Sequence, residues 1–188
     1  RVITNKNNLG TSIARNQGIN VALGELILYI DDDAVLLSND IFGKVVDTMY
    51  NNPNVGQLGG VHYADVNKNK RVFTQVIMGK DGFLDRNKSN LPIKGLHINN
   101  EMIIPTCFCV IRADIIRNIG GFDPFLFFLE EDNDVSKRIK NYGYDLAVNS
   151  EIEFFHLTGS SPRNLYERYR AKNYLIVKDY GLHFKIHY

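Results

Sequence analysis

The sequence predicts an α/β fold with a mixed, mostly parallel central sheet flanked by helices. Three observations predict it. The chain has 188 residues and is 44% hydrophobic, enough for one domain with a real core and too apolar for a disordered chain. Leu26-Ile27-Leu28-Tyr29-Ile30 is a continuous apolar run, the pattern of a strand buried on both faces. Helical and strand patterns alternate around that run, as in a layered α/β sheet. No repeat or low-complexity linker interrupts the chain, so residues 1–188 are read as one domain.

Val2-Ile3 reads as the end of a short strand, and Asn7-Asn8-Leu9-Gly10 as a turn. Thr11 is placed to cap a helix that runs to about Leu23 and stops at Gly24. After the Leu26–Ile30 strand come three aspartates, then a helix over Asp40 to Tyr50 closed by Asn51-Asn52-Pro53. Val55 to Tyr63 reads as a strand. Residues 64–100 are polar and rich in Gly and Asn, suited to loops and one or two short strands. Met102 to Arg112 regains strand character, and a short helix from Ala113 ends at Gly120-Gly121. Glu130 to Tyr142 is helical and closed by Gly143. Leu146-Ala147-Val148 and Ile152 to Phe155 read as two short strands, and Asn164 to Asp179 as a final helix before Gly181.

The net charge is +1, which gives no general reason to bind nucleic acid. Basic residues gather only locally, from Arg163 through Lys172 to Lys178. Cys107 and Cys109 lie two apart in a strand pattern and read as core residues of a reduced compartment. A lone C-x-C lacks the second ligand pair of a zinc site. No apolar run has the length that spans a bilayer. The chain opens without a methionine, in a strand-like segment, as expected of a fragment whose first strands are missing.

Two acidic clusters carry the chemistry. Asp31, Asp32 and Asp33 follow the apolar strand directly, where ligands bind in open α/β sheets. Adjacent carboxylates repel unless a cation compensates them, and such oxygen-rich sites suit Mg²⁺ or Mn²⁺. On an extended backbone Asp31 and Asp33 would point the same way. A solvated turn with a capping aspartate is the alternative. The second cluster is Phe127-Phe128-Leu129-Glu130-Glu131-Asp132-Asn133-Asp134. In a helix from Glu130, Val135, Ile139 and Tyr142 mark the buried stripe. Asp132 falls on that stripe; Asp134 falls off it and can pair with Arg138. A carboxylate beside apolar walls has a raised pKa and can act as a general base. Compensation of the helix dipole is the alternative for these acids. His156 ends a strand before a Gly/Ser loop, the place of a metal ligand or of a half-buried histidine. His62, His97, His183 and His187 show no partner pattern and read as structural.

Taken in order, Asn-Leu-Gly, Ala-Arg-Asn-Gln-Gly, strand plus Asp-Asp-Asp, Gly-Gly-Phe-Asp, Glu-Asp-x-Asp, and His with its Gly-Ser loop resemble glycosyltransferase family 2. That is a family of inverting enzymes with the glycosyltransferase-A fold, and the closest likeness is to its rhamnosyltransferase-like, polysaccharide-building branch. The resemblance spans Val2 to about Tyr180. It implies that Asp31, Asp33 and His156 hold Mn²⁺ or Mg²⁺, with Asp31 also near the ribose or donor sugar and Asp32 beside the donor. It implies that Asp132 is the catalytic base, and that Arg15 and Asn16 border the nucleotide. Gly121, Phe122, Asp123 and Glu131 would lie near the acceptor, and Arg170 and Asn173 beside the diphosphate. The expected donor is a UDP- or dTDP-sugar and the acceptor a glycan or lipid-linked glycan. The expected location is the cytoplasm, including the inner membrane face. The family's first strand and its Asp-Asn-Gly-Ser-x-Asp segment are not found in the chain, which raises the expectation of an exposed sheet edge and self-association. A nucleotidyltransferase would show a Gly-rich, basic phosphate loop, and a non-catalytic carbohydrate-binding relative would not need Asp33, Asp132 and His156 together.

Overall fold

A computed structural model describes residues 2–64, 67, 76–77, 95–157 and 165–180. Most of the 64–100 stretch, the loop after Leu157, Arg163, His183 and His187 lie outside the described residues.

The elements in chain order are α1 (Thr11–Val21), β1 (Leu26–Ile30), β2 (Ala34–Leu36), α2 (Ile41–Asn51), β3 (Val55–Tyr63), β4 (Val76–Ile77), β5 (Leu96–Ile98), β6 (Met102–Ile103), β7 (Phe108–Arg112), α3 (Ala113–Asn118), α4 (Glu131–Asn141), β8 (Asp145–His156) and α5 (Leu165–Tyr180). The main sheet runs β1-β7-β3-β8-β2, and β5 also pairs with β8. β4 and β6 form a separate antiparallel ribbon. None of the described helices is long and apolar enough to cross a membrane.

Successive residues of each strand feed two cores, as the two-residue period of a strand requires. Ile27 and Tyr29 of β1, Cys109 and Ile111 of β7, and Leu146 and Val148 of β8 face one core, covered by Ile19 of α1, Ile115 and Ile116 of α3, and Val135 and Ile139 of α4. Leu26, Leu28, Phe108, Val110 and Ala147 face the other, covered by Ile41, Val45 and Met49 of α2. Helices on both faces explain why β1 is apolar throughout and β7 is apolar up to its last residue, Arg112.

The expected α/β layering and mixed sheet are present, but the sheet is not mostly parallel. Among the described strands of the main sheet only β3 and β8 pair parallel; β1 with β7, β3 with β7, β2 with β8 and β5 with β8 are antiparallel. Burial on both faces produced the apolar run, and burial carries no information about the direction of a neighbour. β1 forms one edge of the sheet among the described strands.

Several boundaries differ from the sequence reading. The 102–112 pattern divides into β6 and β7. The two short strands expected after Leu146 are one strand, β8, whose register against β3 shifts between Gly60 and Val61. Thr11 does not cap α1. The cap position is Gly10, at φ 84°, a conformation that suits glycine, and the Thr11 hydroxyl instead donates to the carbonyl of Phe127. α2 begins as expected, with Asp40 accepting from the Gly43 N–H. Both cysteines are free and buried, but they face opposite cores, because Cys107 lies just before β7.

A candidate metal and acid centre

β1 ends at Ile30 and the chain turns tightly through the three aspartates, closed by the Ala34 N–H donating to the Asp31 carbonyl at 3.1 Å. This turn, not an extended backbone, brings Asp31 and Asp33 together. β2 then pairs with the end of β8, with Ala34 opposite His156. That register delivers the imidazole to the acids: His156 Nε2 lies 2.9 Å from Asp33 Oδ1 and 3.5 Å from Asp31 Oδ2. The ligand atoms of Asp31, Asp33 and His156 all lie within 4.8 Å of one another. Two carboxylates and one imidazole are a donor set that Mn²⁺ or Mg²⁺ accepts. The residues therefore fit the divalent cation that the sequence predicts. Asp32, in the same turn, is exposed.

Arg15 of α1 connects this cluster to the second acidic group. Its guanidinium lies 3.6 Å from Asp31 Oδ1 and 2.6 Å from Glu131 Oε1, and 5.4 Å over the Phe122 ring. Burial alone would lower the arginine pKa, but the charge and hydrogen bond of Glu131 outweigh it and hold the pKa up. Burial raises the pKa of Asp31, against the opposing charges of Arg15 and His156.

α4 carries the other acids. Val135 and Ile139 are 0% exposed, as the stripe requires, but Tyr142 is 49% exposed and leaves it. Asp132 is half-buried and its Oδ1 accepts from the Asn133 N–H at 2.8 Å. Burial, then the charges of Glu131 and Glu130, push its pKa up to about 7. The raised carboxyl expected on this helix is present. Asp134 departs from expectation. It pairs with Arg138 at 2.7 Å as foreseen, yet it is buried, because α5 packs over it and Lys178 also reaches its carboxylate. Contacts from a later helix are invisible to the periodicity of α4. Ahead of α4, Leu129 at φ 71° and Glu130 at φ 66° are consecutive non-glycine residues in the left-handed region. Such strain persists only where surrounding contacts impose it.

The Gly121–Asp123 loop is held rather than open. Asn16 clamps it: its Nδ2 donates to the Phe122 carbonyl at 2.7 Å and its Oδ1 accepts the Phe122 N–H at 2.8 Å. Both ends of that amide serve the loop. Gly121 is buried at φ 75°, with the Asn16 oxygen against it. The Phe122 ring, expected near the acceptor, is 0% exposed and packs edge-on to Tyr29; it belongs to the core because its backbone is pinned to α1. Asp123 accepts from Tyr174 at 2.7 Å, Lys178 at 2.8 Å and its own loop at Phe125 N at 2.9 Å. Burial alone would raise its pKa, but these bonds hold it below the usual carboxylate range.

The structure brings Arg15, Asp31, Asp33, His156 and Glu131 into one linked group, with Asp132 adjoining it. It does not bring Arg170 there. Arg170 Nε pairs with Glu167 at 3.0 Å, and its guanidinium lies 5.0 Å over Phe125. Asn173 is exposed on α5. One histidine that the sequence reads as structural and without a partner pattern, His62, adjoins the site. His62 is buried, stacks on Phe154, and its Nε2 lies 3.4 Å from the His156 carbonyl oxygen. Burial keeps its pKa low. Its separation of 94 residues from His156 leaves no local signal.

A profile of the glycosyltransferase-like family 2 matches residues 1–174. No curated protein matched the chain. Among solved structures, the chain is similar to GalNAc-T7 with UDP, GalNAc and Mn²⁺, at TM-score 0.66 and 15% identity over 90% of this chain and 35% of that one. It is similar to the mannosyltransferase PcManGT from Pyrobaculum calidifontis in complex with GDP-Man and Mn²⁺, at TM-score 0.59 and 15% identity over 95% of this chain and 45% of that one. It is also similar to A197 from STIV, at TM-score 0.52 and 16% identity over 79% and 65%. The chain thus spans well under two thirds of the first two. At such identities the likeness is one of fold, and the family match adds the lineage: the chain belongs to glycosyltransferase-like family 2 and has the glycosyltransferase-A fold.

Proposed function

We propose that the chain is the catalytic part of an inverting glycosyltransferase that moves a sugar from a UDP- or dTDP-sugar to a hydroxyl of a glycan or lipid-linked acceptor. The observation that carries this reading is the Arg15 bridge. One cation contacts Asp31 of the three-ligand cluster and Glu131, the neighbour of Asp132, so donor and base chemistry share one centre.

Asp31, Asp33 and His156 would hold the divalent cation, which when bound neutralises the donor diphosphate as a Lewis acid. Asp132 takes the proton of the acceptor hydroxyl. The freed oxygen electron pair forms the new bond to the anomeric carbon as the bond from that carbon to the diphosphate oxygen breaks, and the nucleoside diphosphate leaves. Attack from the face opposite the leaving group inverts the anomeric centre. A carboxyl with a pKa near 7 is matched to this task, since a general base works best near the operating pH. Beyond its burial, the charges of Glu131 and Glu130 raise the pKa of this carboxyl and the charge of Arg15 opposes them. Two free buried cysteines suit a reducing compartment, which supports a cytoplasmic location for the proposed activity.

The test is thermal stabilisation by UDP-, dTDP- and GDP-sugars with and without Mn²⁺. Stabilisation by a UDP- or dTDP-sugar, only with metal and lost in Asp33→Ala and in His156→Ala, is the expected result. A response that ignores metal, or survives both substitutions, would sink the proposed donor site.

A further inference from the structure

A cleft opens between the segment that follows the Gly121–Asp123 loop and α5. Pro124, Phe125, Phe127, Glu167 and Arg170 line a cavity of about 420 Å³, within the size range of small-ligand sites. Phe125 and Phe127 are 42% and 37% exposed. Both residues line the cleft and keep apolar ring surface accessible there.

These rings are fixed in place. Phe125 packs against Tyr174 at 4.2 Å between ring centres, and Arg170 stacks on it. The Phe127 carbonyl accepts from the Thr11 N–H at 2.9 Å, and the Leu126 carbonyl from the Ser12 hydroxyl at 2.6 Å. The Phe125 N–H donates to Asp123. The platform is therefore anchored to α1, to α5 and to the loop at once.

The polar wall decides the class of ligand. Arg170 is already paired with Glu167 and donates to the Phe125 carbonyl at 3.3 Å. Its charge is matched, so the described lining residues leave no surplus positive charge for a diphosphate. A guanidinium has five N–H donors, so this one keeps some for a neutral partner, and Glu167 supplies an acceptor. Apolar ring faces beside neutralised donors and acceptors suit a molecule with one C–H face and a hydroxyl edge, which is a pyranose.

We propose that this cleft binds a sugar ring of the acceptor, remote from the hydroxyl that reacts. The proposal rests on the transferase reading for the identity of that ligand as acceptor. Asp132 lies five positions after Phe127, so their Cα atoms are at most about 18 Å apart, a span that a short glycan bridges. Arg170 is thereby an acceptor residue and not a diphosphate residue.

The test is saturation-transfer NMR with a panel of methyl hexopyranosides and methyl N-acetylhexosaminides, on the full chain. Irradiation of aromatic protons is expected to saturate the C–H face of at least one glycoside. Phe127→Ala and Phe125→Ala should each weaken that contact by about tenfold in Kd, as loss of a ring face does. Melting curves confirm that these partly exposed positions leave the fold intact. Metal-dependent stabilisation by the donor sugar should persist in both variants and in Arg170→Gln. No saturation across the panel, or equal saturation in both phenylalanine variants, overturns the proposal. So does loss of the donor response in Arg170→Gln. Absence of any donor response in the unsubstituted chain, with glycoside contact retained at Phe127, would instead overturn the transferase reading and leave a sugar-binding cleft.

Discussion

Replacing Asp132 with asparagine separates the electrostatic cost of the base from its chemistry. The substitution keeps the shape and keeps an oxygen to accept the Asn133 N–H, so the change is one of charge. An aspartate in the unfolded chain has a pKa of about 3.9, whereas burial, Glu131 and Glu130 push the folded carboxyl up to about 7. A carboxyl with a raised folded pKa binds its proton more tightly in the folded state. Stability is therefore lost as pH rises from the unfolded value to the folded one, and the loss is complete above about 7. About three pKa units correspond to a ceiling of ~4 kcal/mol. The carboxyl is only half-buried and titrates together with its acidic neighbours, so about 2 kcal/mol is the expected gain for Asp132→Asn at pH 8. In a domain of this size that raises Tm by about 4–8 °C. At pH 4 the gain should vanish, because the aspartate is then protonated in the folded chain. Differential scanning calorimetry at the two pH values measures this. Equal stabilisation at both, or destabilisation at pH 8, would refute the assignment of a buried, field-raised carboxyl. In a transfer assay the same variant should lose a factor of about 10²–10⁴ in kcat while donor binding stays, the usual contribution of a general base; equal loss of both would show that Asp132 is not the base.

Other perturbations follow from the same geometry. Arg15→Met strands the carboxylate of Glu131, whose Oε2 already has no partner among the described residues; urea denaturation should show a loss of about 3 kcal/mol, with a smaller loss in the Arg15→Met/Glu131→Gln double variant. No difference between single and double variants would show that the bridge is not coupled. Gly121→Ala places a Cβ 2.5 Å from Asn16 Oδ1 at φ 75° and should cost about 1–3 kcal/mol; a neutral result would mean that the Asn16 clamp yields freely. Asp123→Asn weakens its bonds to Lys178 and Tyr174, at about 2 kcal/mol near neutral pH. Because the folded pKa of Asp123 is depressed, its contribution is present above the unfolded pKa and fades as pH falls through the folded one, so the gap between variant and parent should close in acid. A gap that is constant with pH would assign the loss to packing.

The sequence carried the layering of this protein and singled out the side chains that the candidate site contains. The apolar run of β1, the stripe of Val135 and Ile139 and the turn residues between elements are local signals, and each reports on burial or on the nearest few residues. The ordered motifs pointed to one family, and the family match agrees on the family. Tertiary structure decided what these signals do not contain. Strand direction was one such matter, because a strand buried on both faces is equally apolar beside a parallel or an antiparallel neighbour. The meeting of His156 with Asp33 was another: it depends on the register of β2 against β8, more than a hundred residues apart. The burial of Asp134 under α5, the capture of Glu131 by Arg15, the use of the Asn16 amide as a loop clamp and the pairing of Arg170 with Glu167 are likewise contacts between distant segments. Residue type set which chemistry was available at each position. Only the packing of one element on another determined which groups met, and so which carboxyl was left with a raised pKa and which arginine had already spent its charge.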